Sequence, residues 1–130
     1  MQVTYPSTPA SYFHLLRRQA LRDFAKPLII FFSKARLRAP NLSRLSELSI
    51  GSMFHPVLDH GIREDVTPRK VLFCSGQIES IINDARRAAQ KNTPNAHEDI
   101  ALVTVEQLAP FPWEQIADVM EKYMKMNKEV

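Results

Sequence analysis

Two kinds of hydrophobic spacing run along the chain. Phe13, Leu16, Ala20 and Phe24 recur at helical intervals. Thr8-Pro9 stands in front of them as an N-cap followed by proline at the first helical position, where its missing N–H costs nothing. His14, Arg17, Arg18 and Arg22 fall mainly off that stripe. Lys26-Pro27 closes the helix, because the residue before proline is pushed out of the α region. Leu28 to Phe32 is then a continuous apolar run, too short for a helix, and predicts a strand buried on both faces as in parallel sheets. Further on, Val71 to Cys74 predicts a strand, Ser75-Gly76 a turn, and Ile78, Ile81, Ile82, Ala85 and Ala89 the apolar face of a helix. After the polar loop from Asn92 to His97, Ile100 to Val105 predicts a second buried strand. Pro110 and Pro112 punctuate, Glu114 suits a first helical turn, and Trp113, Ile116, Ala117, Met120, Tyr123 and Met124 form the face of a last helix. Strand, helix, strand, helix implies a parallel pair with a right-handed crossover.

Residues 33 to 69 are weakly patterned, with Pro40, Pro56, Pro68, Gly51 and Gly61 and at most a short helix around Leu42 to Leu48. A connection of that length inside one compact domain is unusual, so it reads as a link between two halves. A two-stranded parallel sheet is also rarely self-sufficient. The strand near residue 30 could join it only across the unpatterned segment. The simplest expectation is a chain cut at both ends relative to a larger α/β fold.

Composition narrows the function classes. At 130 residues the chain is at most one ordinary domain, and its net charge of +3 is carried by scattered Arg and Lys. Only Arg17-Arg18 and Arg86-Arg87 form doublets, both inside helical patterns, so no clustered basic face points to nucleic acid. Cys74 is the single cysteine, which excludes an internal disulfide and fits a reducing compartment. The longest apolar run, Pro27 to Phe32, is far short of a membrane span, and the N-terminus reads as a turn and helix start rather than a leader.

Candidate chemistry is sparse. Ser75, Gly76 and Gln77 follow a strand and open a helix, where free amides favour an anion. They lack the further glycines of a Rossmann fingerprint and the longer Lys-ending loop of a P-loop, so they form a weak anion-site candidate only. Cys74 stands beside a helix start that can lower a thiol pKa, yet it continues an apolar run and reads first as a buried hydrophobe. His14, His55, His60 and His97 make no ligand pattern; His55, Asp59 and His60 come nearest and lack a second cluster. Glu106, just past a strand end, is either a functional carboxylate at the sheet's carboxyl edge or, as the preferred reading, an interface salt-bridge partner.

Several segments together resemble a known family. They are Ser7-Thr8-Pro9-Ala10, Tyr12-Phe13-His14, Leu15 to Gln19, Lys26-Pro27-Leu28-Ile29, Lys34, Leu37-Arg38, Pro40, Phe73-Cys74-Ser75-Gly76, Val105-Glu106-Gln107-Leu108 and Pro110-Phe111-Pro112. In order and spacing they resemble the E1 component of the 2-oxoglutarate dehydrogenase complex; the 2-oxoadipate dehydrogenase E1 branch shares them. The resemblance implies an α/β chain. Residues 1–34 would be the end of a transketolase-type pyrimidine-binding domain, 35–69 a linker, and 70–130 the first βαβα of the transketolase C-terminal-like domain, its parallel sheet incomplete. The departures are Phe32-Ser33-Lys34 for Ser-Pro-Lys, Ala39 for the histidine of Leu-Arg-His-Pro, Gln77 for the lysine after Cys-Ser-Gly, and Ala109 for an aromatic.

What the resemblance implies for function is oxidative decarboxylation of 2-oxoglutarate with thiamine diphosphate and Mg²⁺, the succinyl group passing to the lipoamide of E2. The family's partners are an E1 homodimer mate and the E2 lipoyl acyltransferase, in the mitochondrial matrix or the bacterial cytoplasm. The residues that bind cofactor, metal and substrate there have no counterpart in this chain. No catalytic, cofactor or metal residue is therefore assigned, and a fragment inactive alone and binding no cofactor is expected. The alternatives are a non-catalytic module that binds E1 or E2 subunits and, more remotely, an independent nucleotide-binding α/β domain. As a fragment the chain would expose apolar faces and be poorly soluble or only partly folded.

Overall fold

The computed structural model describes residues 1–35, 43–63 and 65–128. Its elements are β1 (Gln2–Thr4), α1 (Pro9–Leu21), β2 (Leu28–Ile30), a 3-10 turn at Leu45–Leu48, β3 (Val57–Asp59), β4 (Lys70–Cys74), α2 (Gln77–Asn92), β5 (Ile100–Val105), β6 (Gln107–Ala109) and α3 (Trp113–Lys128). They build two three-stranded sheets, ordered β2-β1-β6 and β3-β5-β4.

The second sheet carries the strand–helix–strand unit read from the pattern. β4 runs parallel to β5, Val71 opposite Ala101 and Phe73 opposite Val103, with α2 as the crossover. β5 is central, buried from Ala101 to Val105, as its unbroken apolar run requires. β3 adds an antiparallel edge, Val57 opposite Val105. At three residues, Val57-Leu58-Asp59 is too short to show a period, so the supposed connection hid a strand. Ala101, Val103 and Tyr123 form the core, with Val57, Ile62, Val71, Val119 and Met126 packed on it.

The first sheet has the same logic at smaller scale. β1 and β2 are parallel, joined by α1, and β6 returns antiparallel to β1. β1 was not anticipated, nor was β6. The strand near residue 30 joins this sheet rather than that of β4 and β5. Nor is it buried on both faces. β2 pairs on one side only, and Ile29, Phe31 and Phe32 are exposed.

Helix ends follow the sequence and helix faces do not. Thr8 caps α1 by accepting from the Ser11 N–H at 3.1 Å, with proline at the first position. But Phe13, Leu16 and Phe24 of the expected stripe are about half exposed, at 46, 43 and 51%. The buried face is Ala10, Ser11, His14 and Leu15. Of its polar members, His14 was placed off the stripe and Ser11 was not singled out, and each has a hydrogen-bond partner described below. In α2, Ile82 and Ala89 turn inward while Ile78, Ile81 and Ala85 are exposed. α3 turns Ile116, Val119, Tyr123 and Met126 inward and leaves Trp113, Met120 and Met124 outside. The expected helix around Leu42 to Leu48 is the 3-10 turn Leu45–Leu48. Leu37, Arg38, Ala39, Pro40 and Leu42 lie outside the described residues.

Candidate functional site

β5 and β6 are consecutive, and the one residue between them, Glu106, is where the chain passes from one sheet to the other. Its N–H donates to the Pro56 carbonyl at 2.8 Å, just before β3, and its own carbonyl accepts from the Tyr5 N–H at 2.8 Å, just after β1. The side chain is fully buried. Its Oε1 accepts from Ser7 Oγ at 2.6 Å, and its Oε2 from the Ser7 N–H at 2.8 Å and from Ser11 Oγ at 2.7 Å. The donors sit around the N-terminus of α1, where unpaired amides and the helix dipole favour a negative charge.

This carboxylate is therefore a clamp. No cation pairs with it among the described residues, so the salt-bridge reading is corrected: hydroxyls and a helix N-terminus balance the charge instead. Fully buried and accepting three short bonds, it is closed off from any substrate that would hand it a proton. The network continues outward. Ser7 Oγ lies 3.5 Å from Thr104 Oγ1, and His60 Nε2 is 3.1 Å from the same hydroxyl. Ser7, Ser11 and Thr104 were not singled out from sequence. The one signal for them was Thr8-Pro9, which fixes the helix start and so the direction of the two flanking serines.

The Cys74 to Gln77 turn lies against this junction. Gly76 is buried with φ +52, and a Cβ there would overlap the Tyr5 ring at Cγ, Cδ2 and Cε2. Burial, then Glu79, then Glu106 push the Cys74 thiol up to about 11. The thiol is therefore protonated at neutral pH and is no nucleophile. The same two carboxylates set a negative field at the turn, which works against an anion at Ser75, Gly76 and Gln77.

Asp59 forms a second polar centre at the end of β3. It accepts from Lys122 Nζ at 2.5 Å, Tyr123 Oη at 2.6 Å and the Gly61 N–H at 2.9 Å. Burial raises its carboxyl, but the hydrogen bonds from Lys122, Tyr123 and Gly61 outweigh that and hold it below the usual range. Burial and the bond to Asp59 push the Tyr123 phenol up. Asp59 thus ties α3 to the sheet and is not drawn into a site with His55 and His60. Among the described residues, no three His, Cys, Asp or Glu side chains group as a metal site. Among them too, no helix is long and apolar enough to cross a membrane.

Comparison with known proteins gives one consistent set. Residues 42–130 match the family model described as 2-oxoglutarate dehydrogenase C-terminal, and residues 1–40 that described as transketolase, pyrimidine binding domain. The 2-oxoglutarate dehydrogenase E1 component of Azotobacter vinelandii is 40% identical over 134 residues, covering 100% of this chain. The human 2-oxoadipate dehydrogenase complex component E1 is 38% identical, again over 100% of this chain. A 2-oxoglutarate dehydrogenase E1 component of Rickettsia conorii is 41% identical over 98% of it. The chain spans only 13 to 14% of the length of these relatives.

Proposed function

The chain belongs to the 2-oxoglutarate dehydrogenase C-terminal family, and on that premise we propose that it is the joint of a 2-oxo acid dehydrogenase E1 subunit. In this reading, residues 1–34 close the pyrimidine-binding domain, 35–69 connect, and 70–130 open the C-terminal domain. The joint sets the angle between the two through Glu106. The observation that carries this is the change of sheet at Glu106, its backbone bonded to residues flanking β3 and β1 and its side chain to the start of α1.

The activity such a subunit serves is decarboxylation of 2-oxoglutarate with thiamine diphosphate, the succinyl group passing to E2 lipoamide; 2-oxoadipate is the competing substrate. The residues present do not fit the cofactor or its Mg²⁺. Among the described residues, the one fully buried carboxylate is bonded to Ser7 and Ser11, and no metal-ligand set groups. The chain's contribution is positional, with an E1 mate and E2 as the assembly's partners and the mitochondrial matrix or bacterial cytoplasm as its setting.

Exposed apolar side chains support the reading that more protein covers this one. Ile78 and Ile81 on α2, Phe31 and Phe32 after β2, and Trp113 on α3 are half exposed or more. The test is an assay of the purified chain with 2-oxoglutarate, thiamine diphosphate and Mg²⁺. No decarboxylation is expected, and turnover above the protein-free rate overturns the positional role. Stoichiometric capture of an intact E1 or E2 component would favour the interaction-module alternative instead.

A further inference from the structure

A cleft of about 370 Å³ lies between the C-terminal half of α1 and residues 52 to 54, away from the Glu106 junction. Arg17, Arg18 and Arg22 line one side, and Ser52, Met53 and Phe54 face them. Three arginine side chains thus line one small space, with Arg22 near enough to Arg18 to lower its pKa and the Arg22 guanidinium 5.2 Å from the Phe24 ring centroid. No carboxylate among the described residues pairs with any of them. Unpaired like charges held together repel one another, and the arrangement is stabilised by whatever anion enters.

Arg18 is the fixed member. Its guanidinium donates to Gln107 Oε1 at 3.0 Å and Gln2 Oε1 at 3.4 Å and stacks 4.2 Å from the Phe54 ring centroid. Those partners are neutral, so its charge is positioned without being cancelled. Burial and then Arg22 pull Arg18 down to about 10, which still leaves it charged at neutral pH. Arg17 is exposed and makes no hydrogen bond within the described residues, so its fork is available. His14 is buried at the same wall. Its Nε2 donates to the Glu47 carbonyl at 2.7 Å, and its Nδ1 is left without a partner. The volume is that of a small-molecule site, and the Met53 and Phe54 wall suits the apolar body of a compact ligand rather than a polymer backbone.

We propose that this cleft binds a multiply charged organic oxyanion, held by the forks of Arg17 and Arg22 over the fixed Arg18. Forked guanidiniums recognise phosphate and carboxylate alike, so the shared chemistry covers a phosphate monoester or a polycarboxylate. The site is independent of the joint role, since it uses neither Glu106 nor its serines.

Isothermal titration of the full chain with phenyl phosphate and with citrate at low salt tests it. One probe is expected to bind with a Kd below about 1 mM, and the charged forks should account for at least roughly tenfold of that. The double variant Arg17→Gln, Arg22→Gln is therefore expected to lose binding about tenfold while its circular dichroism stays unchanged. The single variants, each expected to weaken binding about threefold, carry the test should the double variant fail to fold. Tighter phenyl phosphate names a phosphate monoester as the ligand class, and tighter citrate a polycarboxylate. Absence of binding by both probes up to about 10 mM, or undiminished binding by the variants, overturns the proposal.

Discussion

Removing the Glu106 carboxylate should loosen the whole molecule, because its bonds tie the β5–β6 junction to the start of α1. In Glu106→Ala, three donors lose their acceptor: the Ser7 N–H, Ser7 Oγ and Ser11 Oγ. An unsatisfied buried donor costs about 1–3 kcal/mol. Ser11 is buried and deserves the middle of that range, whereas half-buried Ser7 can reach water and deserves the bottom. That sums to about 4 kcal/mol before two further terms. The side-chain void adds about 1 kcal/mol, and relief from holding a charge away from water returns a similar amount. The expected loss is therefore about 3–5 kcal/mol, a large share of a typical domain's stability. Glu106→Gln keeps the volume and one acceptor but turns an amide donor toward donors, and should lose about 1–2 kcal/mol. Urea unfolding at low micromolar concentration, followed by far-UV circular dichroism with the m-value checked for constancy, measures both. A loss below about 1 kcal/mol for Glu106→Ala, or equal losses for Ala and Gln, would refute the clamp.

Other outcomes follow from the same geometry. Gly76→Ala places a Cβ in the Tyr5 ring at a φ that side chains avoid, and should cost about 2–4 kcal/mol. Adding Tyr5→Ala should not worsen the Gly76→Ala variant by the full amount it costs alone, since the overlap is gone; additive losses in urea unfolding would contradict that. The raised Cys74 thiol should react with iodoacetamide at pH 8 at least about tenfold more slowly than a free cysteine, and equal rates would contradict it. Asp59 is held below its usual pKa, so its stabilisation is present above the unfolded carboxyl pKa and lost as pH falls through the folded value. The stability gap between the native chain and Asp59→Asn should accordingly narrow as pH drops from about 6 toward 3, and a gap that widens would reverse the sign.

Much of this fold was legible because the relevant signals are local. Thr8-Pro9 marked the start of α1, the run Ile100 to Val105 marked the buried central strand, and Ser75-Gly76 marked the turn into α2. β1, β3 and β6 were not legible, since three residues cannot show alternation and each exists only through a partner distant in sequence. The face of α1 was misjudged for a physical reason. Hydrophobicity marks the inward side only when the core is apolar, and here Ser11 and His14 turn inward because Glu106 and the Glu47 carbonyl wait for them. Glu106 drew notice by its place at a strand end, but its partners did not, because a helix start and two hydroxyls are an unusual counter-charge. The arginine cleft was invisible for a similar reason. Residues 17 to 22 meet residues 52 to 54 only once the chain has folded back.

The joint role is tested most directly by exchange. The stretch of the Azotobacter vinelandii 2-oxoglutarate dehydrogenase E1 component that matches this chain can be replaced by the chain itself, and 2-oxoglutarate decarboxylation with thiamine diphosphate and Mg²⁺ measured. A folded chimera is expected to retain activity and to lose it when Glu106→Ala is introduced. One without activity, or one indifferent to Glu106→Ala, would contradict the joint role.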